Sequence, residues 1–191
     1  MAESVTVVTL DVDSRPDANR AARLADKFTL NAIRIASLRA EMTQQLTSPS
    51  QLGFAFLPFK ATWAIREQSL NVAFSFSLRL SQRSKEPKSE QRLGLIKVGF
   101  VAAYHIKQTL SDQERLEVTH YVGVITFLHL WPYFRSEVQA ITTKVGLPAL
   151  TLPVMVSGHA AKFVQVTEAA PPEPTPTTVA PETAPSETKT D

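Results

Sequence analysis

One stretch of this chain, residues 111–153, dictates what the remainder has to do. Ser111-Asp112-Gln113-Glu114 has the spacing of a capping box, in which the serine hydroxyl and the glutamate carboxylate satisfy free backbone N–H groups at a helix start. Leu116, Val118, Val122, Ile125, Leu128 and Trp131 follow at helical intervals. Between Tyr121 and Phe134, however, apolar residues fall on nearly every side, so this helix needs cover on more than one face. A small sheet does not easily supply that, and a second copy of the chain is the simplest source. Pro132 lacks a backbone donor and its ring crowds the preceding turn, which predicts a kink or break there. A second helical segment over residues 133–145 then ends with Lys144 near the negative helix end and Gly146 just beyond. Pro148 and Pro153 keep residues 147–156 extended over the body.

Upstream, the pattern is that of an antiparallel sheet. Leu70, Val72, Phe74, Phe76, Leu78 and Leu80 alternate with Asn71, Ala73, Ser75, Ser77 and Arg79, the period of a strand with one buried face. Ile96, Val98, Phe100, Ala102, Tyr104 and Ile106 repeat the pattern over residues 93–107. Residues 81–92, with Pro87 and several charges, read as the solvated loop between these two strands. A short strand over residues 60–67 puts Ala61, Trp63 and Ile65 on one side. Residues 29–42 form a long strand of mixed parity: Leu30, Ala32, Ala36, Leu38 and Ala40 oppose Ile33 and Ile35. Such a strand is either covered on both faces or bent by a bulge. Residues 51–59 read as a loop that carries Leu52, Phe54, Phe56, Leu57 and Phe59 around Gly53 and Pro58. That much apolar surface in a loop either packs on the body or lines a binding surface. The expected architecture is α+β, with a four-stranded antiparallel sheet followed by a long, proline-interrupted helix.

The remaining segments are appendages. Residues 1–27 form an N-terminal segment, partly disordered or a short helix from Asp17; residues 28–166 form the domain; residues 167–191, rich in Pro, Thr and Glu, form a disordered tail. Five acids and one base, Lys189, lie from Thr167 onward, so the formal charge of +2 becomes +6 over residues 1–166. The bases are scattered rather than arrayed with stacking aromatics, which argues against nucleic acid as a partner. With no cysteine there is neither a disulfide nor a thiolate nucleophile. No secretory leader is recognisable and no apolar run reaches the roughly 18 residues of a membrane span, so a soluble, cytoplasmic protein is expected, with no direct membrane insertion.

Catalysis finds no foothold. There is no Gly-rich phosphate loop among the six glycines and no Gly-x-Ser-x-Gly elbow. His105, His120, His129 and His159 have no metal-ligand spacing; His120 and His129, nine residues apart, fall on opposite faces of a helix. No metal and no cofactor is expected. A long helix wrapped by an antiparallel sheet also describes hot-dog thioesterases, but these need a catalytic carboxylate on the helix, and residues 118–134 contain none.

Pro132-Tyr133-Phe134-Arg135 inside a long helix, then Gly146-Leu147-Pro148-Ala149-Leu150-Thr151-Leu152-Pro153-Val154, resembles the SecB family of export chaperones. The family pattern is Pro-Tyr-x-Arg-Glu, a helix of roughly ten residues, then Gly-x-x-Pro-x-Leu-x-Leu-x-Pro. The resemblance covers residues 28–156, although over the strands it is one of pattern only. It departs where Ser136 separates Arg135 from Glu137, and where Val154-Met155-Val156 replaces an Asn-Phe pair.

The resemblance implies a SecB-like fold assembled as a homotetramer, a dimer of dimers with the long helices between sheets. It implies a holdase that binds non-native polypeptides in apolar grooves, keeping preproteins export-competent for the Sec pathway. By position, the groove residues would be Leu52, Phe54, Phe56, Phe59, Trp63, Leu147, Leu150, Leu152 and Met155. Family members that deliver to the SecA motor use acids on the strand surface. Here Ser37 and Lys97 stand at two of those positions and Glu41 at a third. The alternative is a SecB-like chaperone dedicated to one client, such as the antitoxin of a toxin–antitoxin–chaperone system. A purely structural oligomer is the plainest reading.

Overall fold

The structure is a computed structural model that describes residues 16–43, 52–83, 90–155 and 164–168. In order these form helix α1 (Ala18–Arg23), a 3-10 turn (Ala25–Lys27), strands β1 (Phe28–Met42), β2 (Leu52–Phe56), β3 (Phe59–Arg66), β4 (Ser69–Arg83) and β5 (Glu90–Ile106), and helix α2 (Asp112–Tyr121). A π-helical stretch (Val122–Thr126) leads from α2 into α3 (Phe127–Lys144), and strand β6 (Val164–Glu168) follows. The sheet has six strands rather than four, in the order β1-β5-β4-β3-β6 with β2 also paired to β4. Among the described residues only the β3–β6 pair is parallel.

Two departures from expectation account for the extra strands. Residues 52–56, expected in a loop, are β2, and it shares one side of β4 with β3: Phe56 lies opposite Leu78 and Lys60 opposite Ser75. Four steps on one side match three on the other, so the Leu57-Pro58 corner carries one extra residue, as in a bulge. That residue switches parity, and it sends Phe54 and Phe56 to the same face as Ala61 and Trp63. The second addition, β6, runs through Glu168, two residues past the expected end of the domain. The hairpin strands also run further than expected, β4 to Arg83 and β5 from Glu90, and the remaining loop residues lie outside those described, as do residues 1–15 and 169–191.

Mixed parity in β1 resolves into bulges. Its pairing with β5 skips Asn31 and Ala36, so Leu30, Ile33, Ile35 and Leu38 all point to the helix side despite their irregular spacing. Only the first part of that row is covered. Phe28 is buried, whereas Ile35 and Leu38 are each 48% exposed.

The helix lies across the even-numbered faces of β4 and β5. Phe59, Phe74, Phe76, Phe100, Phe127 and Phe134 are all fully buried, with Phe76 and Phe134 stacked at 4.6 Å and Phe74 and Phe76 at 4.6 Å. Packed rings of this kind add to the area each one buries. Contrary to the expected break, α3 continues through Pro132. Phe127, Leu130, Trp131, Phe134, Val138 and Ile141 form one buried stripe on both sides of it, while Pro132 itself is exposed. The proline therefore sits on the solvent side, where water can take up the backbone carbonyl it leaves unbonded.

The all-round apolar middle of the helix is covered from within the chain. α1 packs on α2, and Gly123 in the π stretch lies under both ends of the fold. A Cβ at Gly123 would overlap the ring of Pro16 and come within 3.2 Å of Val166 Cγ2. The backbone N–H of Asp17 donates to His120 Nδ1 at 3.0 Å, and the Asp17 carboxylate caps α1 through Asn19 and Arg20. Burial, then the Arg20 charge, lowers the pKa of His120, which suits an acceptor nitrogen. A second copy of the chain is thus not needed to cover this turn.

The capping box forms as its spacing predicts. Ser111 Oγ accepts from the Glu114 N–H at 3.3 Å, and the Ser111 N–H donates to Glu114 Oε2 at 2.9 Å. Lys27 Nζ meets Glu114 Oε1 at 2.5 Å, tying the start of β1 to the start of α2. The Lys27 ammonium and then the Ser111 N–H hold the Glu114 carboxyl down to about 2 from its ordinary 4.5. A depressed carboxylate stabilises the fold above its unfolded pKa, and that contribution fades as pH falls from about 4.5 toward about 2. Glu114→Gln is expected to flatten the acid limb of the stability curve across this window, measured by thermal melts at stepped pH. Ser111→Ala should cost about 1 kcal/mol at neutral pH.

Candidate functional site: an aromatic edge beside an extended strap

Phe54 and Phe56 project from β2 toward α3, opposite the buried Leu80 and Leu78 of β4. Their rings form a series running inward: Phe54 to Phe56 at 5.6 Å, Phe56 to Trp131 at 5.5 Å, and Phe56 to Phe59 at 5.8 Å. Exposure falls along it, from 37% at Phe54 through half-buried Phe56 to fully buried Phe59. Leu52 is half-buried one step further along the same strand.

On the other side of Trp131 runs the strap, residues 147–155. It begins at a glycine turn that the end of α3 requires. Gly146 has a φ of +75°, its N–H donates to the Thr143 carbonyl at 3.1 Å, and the Leu147 N–H donates to the Thr142 carbonyl at 2.9 Å. These are the two bonds of a Schellman motif, and they turn the chain back along α3. Two further hydrogen bonds hold it there. Leu150 N–H donates to Thr142 Oγ1 at 3.1 Å, and the Trp131 indole N–H donates to the Pro153 carbonyl at 3.0 Å. Trp131 therefore joins the β2 aromatics to the strap.

The sequence-derived groove residues divide into two groups. Phe59 and Trp63 are 0% and 5% exposed, and Leu147, Leu152 and Met155 are also buried. Phe59 and Trp63 are core residues of the sheet, which corrects the reading that they present surface to a ligand. Leu147, Leu152 and Met155 pin the strap down. Leu52, Phe54, Phe56 and Leu150 keep accessible surface. Two residues absent from that set belong beside them: Trp131, through its ring and indole contacts, and Val154, 71% exposed on the strap. Trp131 was visible as part of the apolar helix stripe, but nothing in the sequence showed that the stripe ran under β2.

Ser37 and Lys97 lie on the opposite sheet face, where Ser37 pairs with Gly99 and Lys97 with Arg39. Arg39 in turn forms an ion pair with Glu41. This face carries Ser37 and Lys97, and its Glu41 is engaged by an arginine.

Elsewhere the polar groups are structural. Tyr104 hydroxyl and His129 Nδ1 are 3.1 Å apart, with burial pushing Tyr104 up to about 12 and lowering His129. A cleft of about 500 Å³ between α1 and α2 is lined by Arg20, Arg23, Gln113, Leu116, Glu117, Thr119 and His120, and shares no residue with the aromatic edge. Among the described residues no group of three His, Asp or Glu side chains converges as a metal site, and no helix is long and apolar enough to cross a membrane.

No protein-family model matches the chain, and no curated protein matches it. Comparison with solved structures assigns the architecture: the chain has a SecB-like fold. The structure that carries this match is a SecB-like chaperone of Mycobacterium tuberculosis, solved in complex with a ChAD peptide from the HigA1 antitoxin. The TM-score is 0.62 at 22% identity, over 72% of this chain and 97% of that one. A protein of unknown function from Streptococcus agalactiae aligns over 66% of this chain and 97% of its own at a TM-score of 0.34 and 10% identity, a likeness too low to carry an argument.

Proposed function

We propose that this chain is a non-enzymatic chaperone of the SecB family. It holds a short, extended segment of a non-native client against Phe54, Phe56 and Trp131, with Leu150 and Val154 as the facing border. The observation that carries this reading is the graded aromatic row. Its inner rings, Phe59 and Trp131, are buried, Phe56 is half-buried and the outer ring, Phe54, is 37% exposed, so the surface is backed by the core yet tolerant of varied apolar side chains.

Of the two client classes, the dedicated one is better supported. The M. tuberculosis neighbour was solved with an antitoxin peptide bound, and the sheet face that would meet SecA carries Ser37, Lys97 and Arg39. Same-sign charge there opposes docking by a partner that reads acids. We therefore take an antitoxin-like protein as the client, and a homotetramer in the cytoplasm as the working form. Exposed Ile35 and Leu38 on the edge strand β1 give a second copy an apolar surface to cover.

Binding of a labelled apolar peptide to the purified protein tests the site. Phe54→Asp and Leu150→Asp are each expected to weaken it about tenfold or more, at a stability cost of no more than about 2 kcal/mol. Wild-type protein that binds no unfolded peptide would sink the reading. Crosslinking in cells separates the client classes: one dominant partner supports dedication, whereas many exported precursors would return the chain to preprotein targeting.

A further inference from the structure

One charged side chain of α3 has a buried donor that no described residue answers. Arg135 lies on α3 between the two points that anchor the strap, Trp131 and Thr142. At 3.6 residues per turn, positions 131, 135, 138 and 142 fall within about 60° of one another, so Arg135 belongs to the strap-bearing face. It is half-buried, and its Nε is fully buried with no hydrogen-bond partner among the described residues. Among the described residues the ion pairs are Lys27–Glu114 and Arg39–Glu41, and neither involves Arg135. The next acid on its own helix, Glu137, is about 200° around the axis and faces away.

A guanidinium donor withdrawn from water and left without an acceptor is costly, and the cost is recovered when a planar anion bonds to it. Trp131 and Thr142, its neighbours on this face, already spend their polar groups on the strap. The internal stretches 44–51 and 156–163, which flank β2 and the strap in sequence, contain no Asp or Glu. Among the described residues no carboxylate answers it, which leaves this donor open to an acid on the proposed client.

We infer that Arg135 is a specificity residue that reads a carboxylate of the bound client segment, so that apolar segments carrying an acid are preferred over uncharged ones. The carboxylate belongs to an acidic side chain or to a chain terminus. This rests on the client lying along the strap as proposed above. Arg suits the role because its fork accepts a carboxylate through two parallel hydrogen bonds, which a lysine does not reproduce.

The test uses the full chain and an uncharged apolar peptide of about twelve residues, blocked at both ends. One series walks a single Glu through it, and another member has a free C-terminal acid. Glu in at least one register, or the free acid, should tighten binding about tenfold, and which of the two does so identifies the source. Arg135→Gln should abolish that gain while holding the uncharged parent within about twofold, and Arg135→Lys should retain part of it. Raised salt should shrink the gain more than it affects the parent. No gain from any acid, or equal loss of both peptides in Arg135→Gln, would overturn the inference and leave the chaperone reading standing. Wild type that binds neither peptide defeats the chaperone reading itself. If a chain ending at Glu168 gains affinity for the uncharged parent only when Arg135 is present, the acidic tail is the bound group and the inference fails.

Discussion

Phe59→Ala is expected to lower the unfolding free energy by about 3–5 kcal/mol, the cost of emptying a large aromatic site that cannot close up. The ring is fully buried and sits 5.0 Å from Phe76, 6.0 Å from Phe127 and 6.3 Å from both Trp131 and Phe134. Urea denaturation reads the change as a lower midpoint at unchanged slope. Phe54→Ala, five residues earlier and 37% exposed, should shift the same midpoint by less than about 1 kcal/mol while weakening peptide binding. The pair separates core from surface within one aromatic cluster. Equal stability losses at both positions would place Phe54 in the core and remove it from the site.

Pro132→Ala should make the protein more stable, by about 2–2.6 kcal/mol. A proline inside a helix forfeits about 3 kcal/mol relative to alanine. The new N–H at 132 can bond to the Leu128 carbonyl one turn back. Against that, alanine loosens the unfolded chain by about 0.4–1 kcal/mol. Position 132 is exposed, so the smaller side chain leaves no cavity behind. A loss of stability would mean that the proline sets a bend in α3 on which the Trp131–Phe56 contact depends.

How far the sequence carries depends on whether a residue's direction is settled locally. The middle of β4 and β5 was legible, since residues 70–80 and 94–106 keep strict alternation and their even positions are buried; the register shift at Leu80/Ser81 and the extended ends were not. The capping box and the Gly146 stop were legible for the same reason: each is a contact within a few residues. Parity failed where a single residue is inserted. The extra position at Leu57-Pro58 hid a strand behind turn chemistry and turned Phe59 and Trp63 inward. In β1, two bulges turned one row on the helix side into two apparent ones.

Long-range choices were less accessible still. Nothing near Val164 announces a parallel pairing to β3, a hundred residues earlier, and nothing near Asp17 announces a nitrogen of His120 as its acceptor. Pro132 shows the converse failure, in which a sound local rule is overridden because the offending side of the helix faces water. At the candidate site, Leu52, Phe54, Phe56 and Leu150 could be picked out as apolar and unpatterned. Trp131 and Arg135 could not, because their importance comes from a strap folded back over α3.

Gly123 has a consequence for the order of folding. The turn of helix around it is closed by Pro16 from one end of the domain and Val166 from the other, some 150 residues apart in sequence. Contacts so distant are entropically late, since the intervening chain must be organised before they bring any gain. During synthesis the sheet, the helix and Pro16 can assemble while the Val166 side of that turn stays bare, an apolar notch that β6 fills. The domain therefore latches shut at its very end, and until then it presents to its surroundings the kind of surface that chaperones exist to cover.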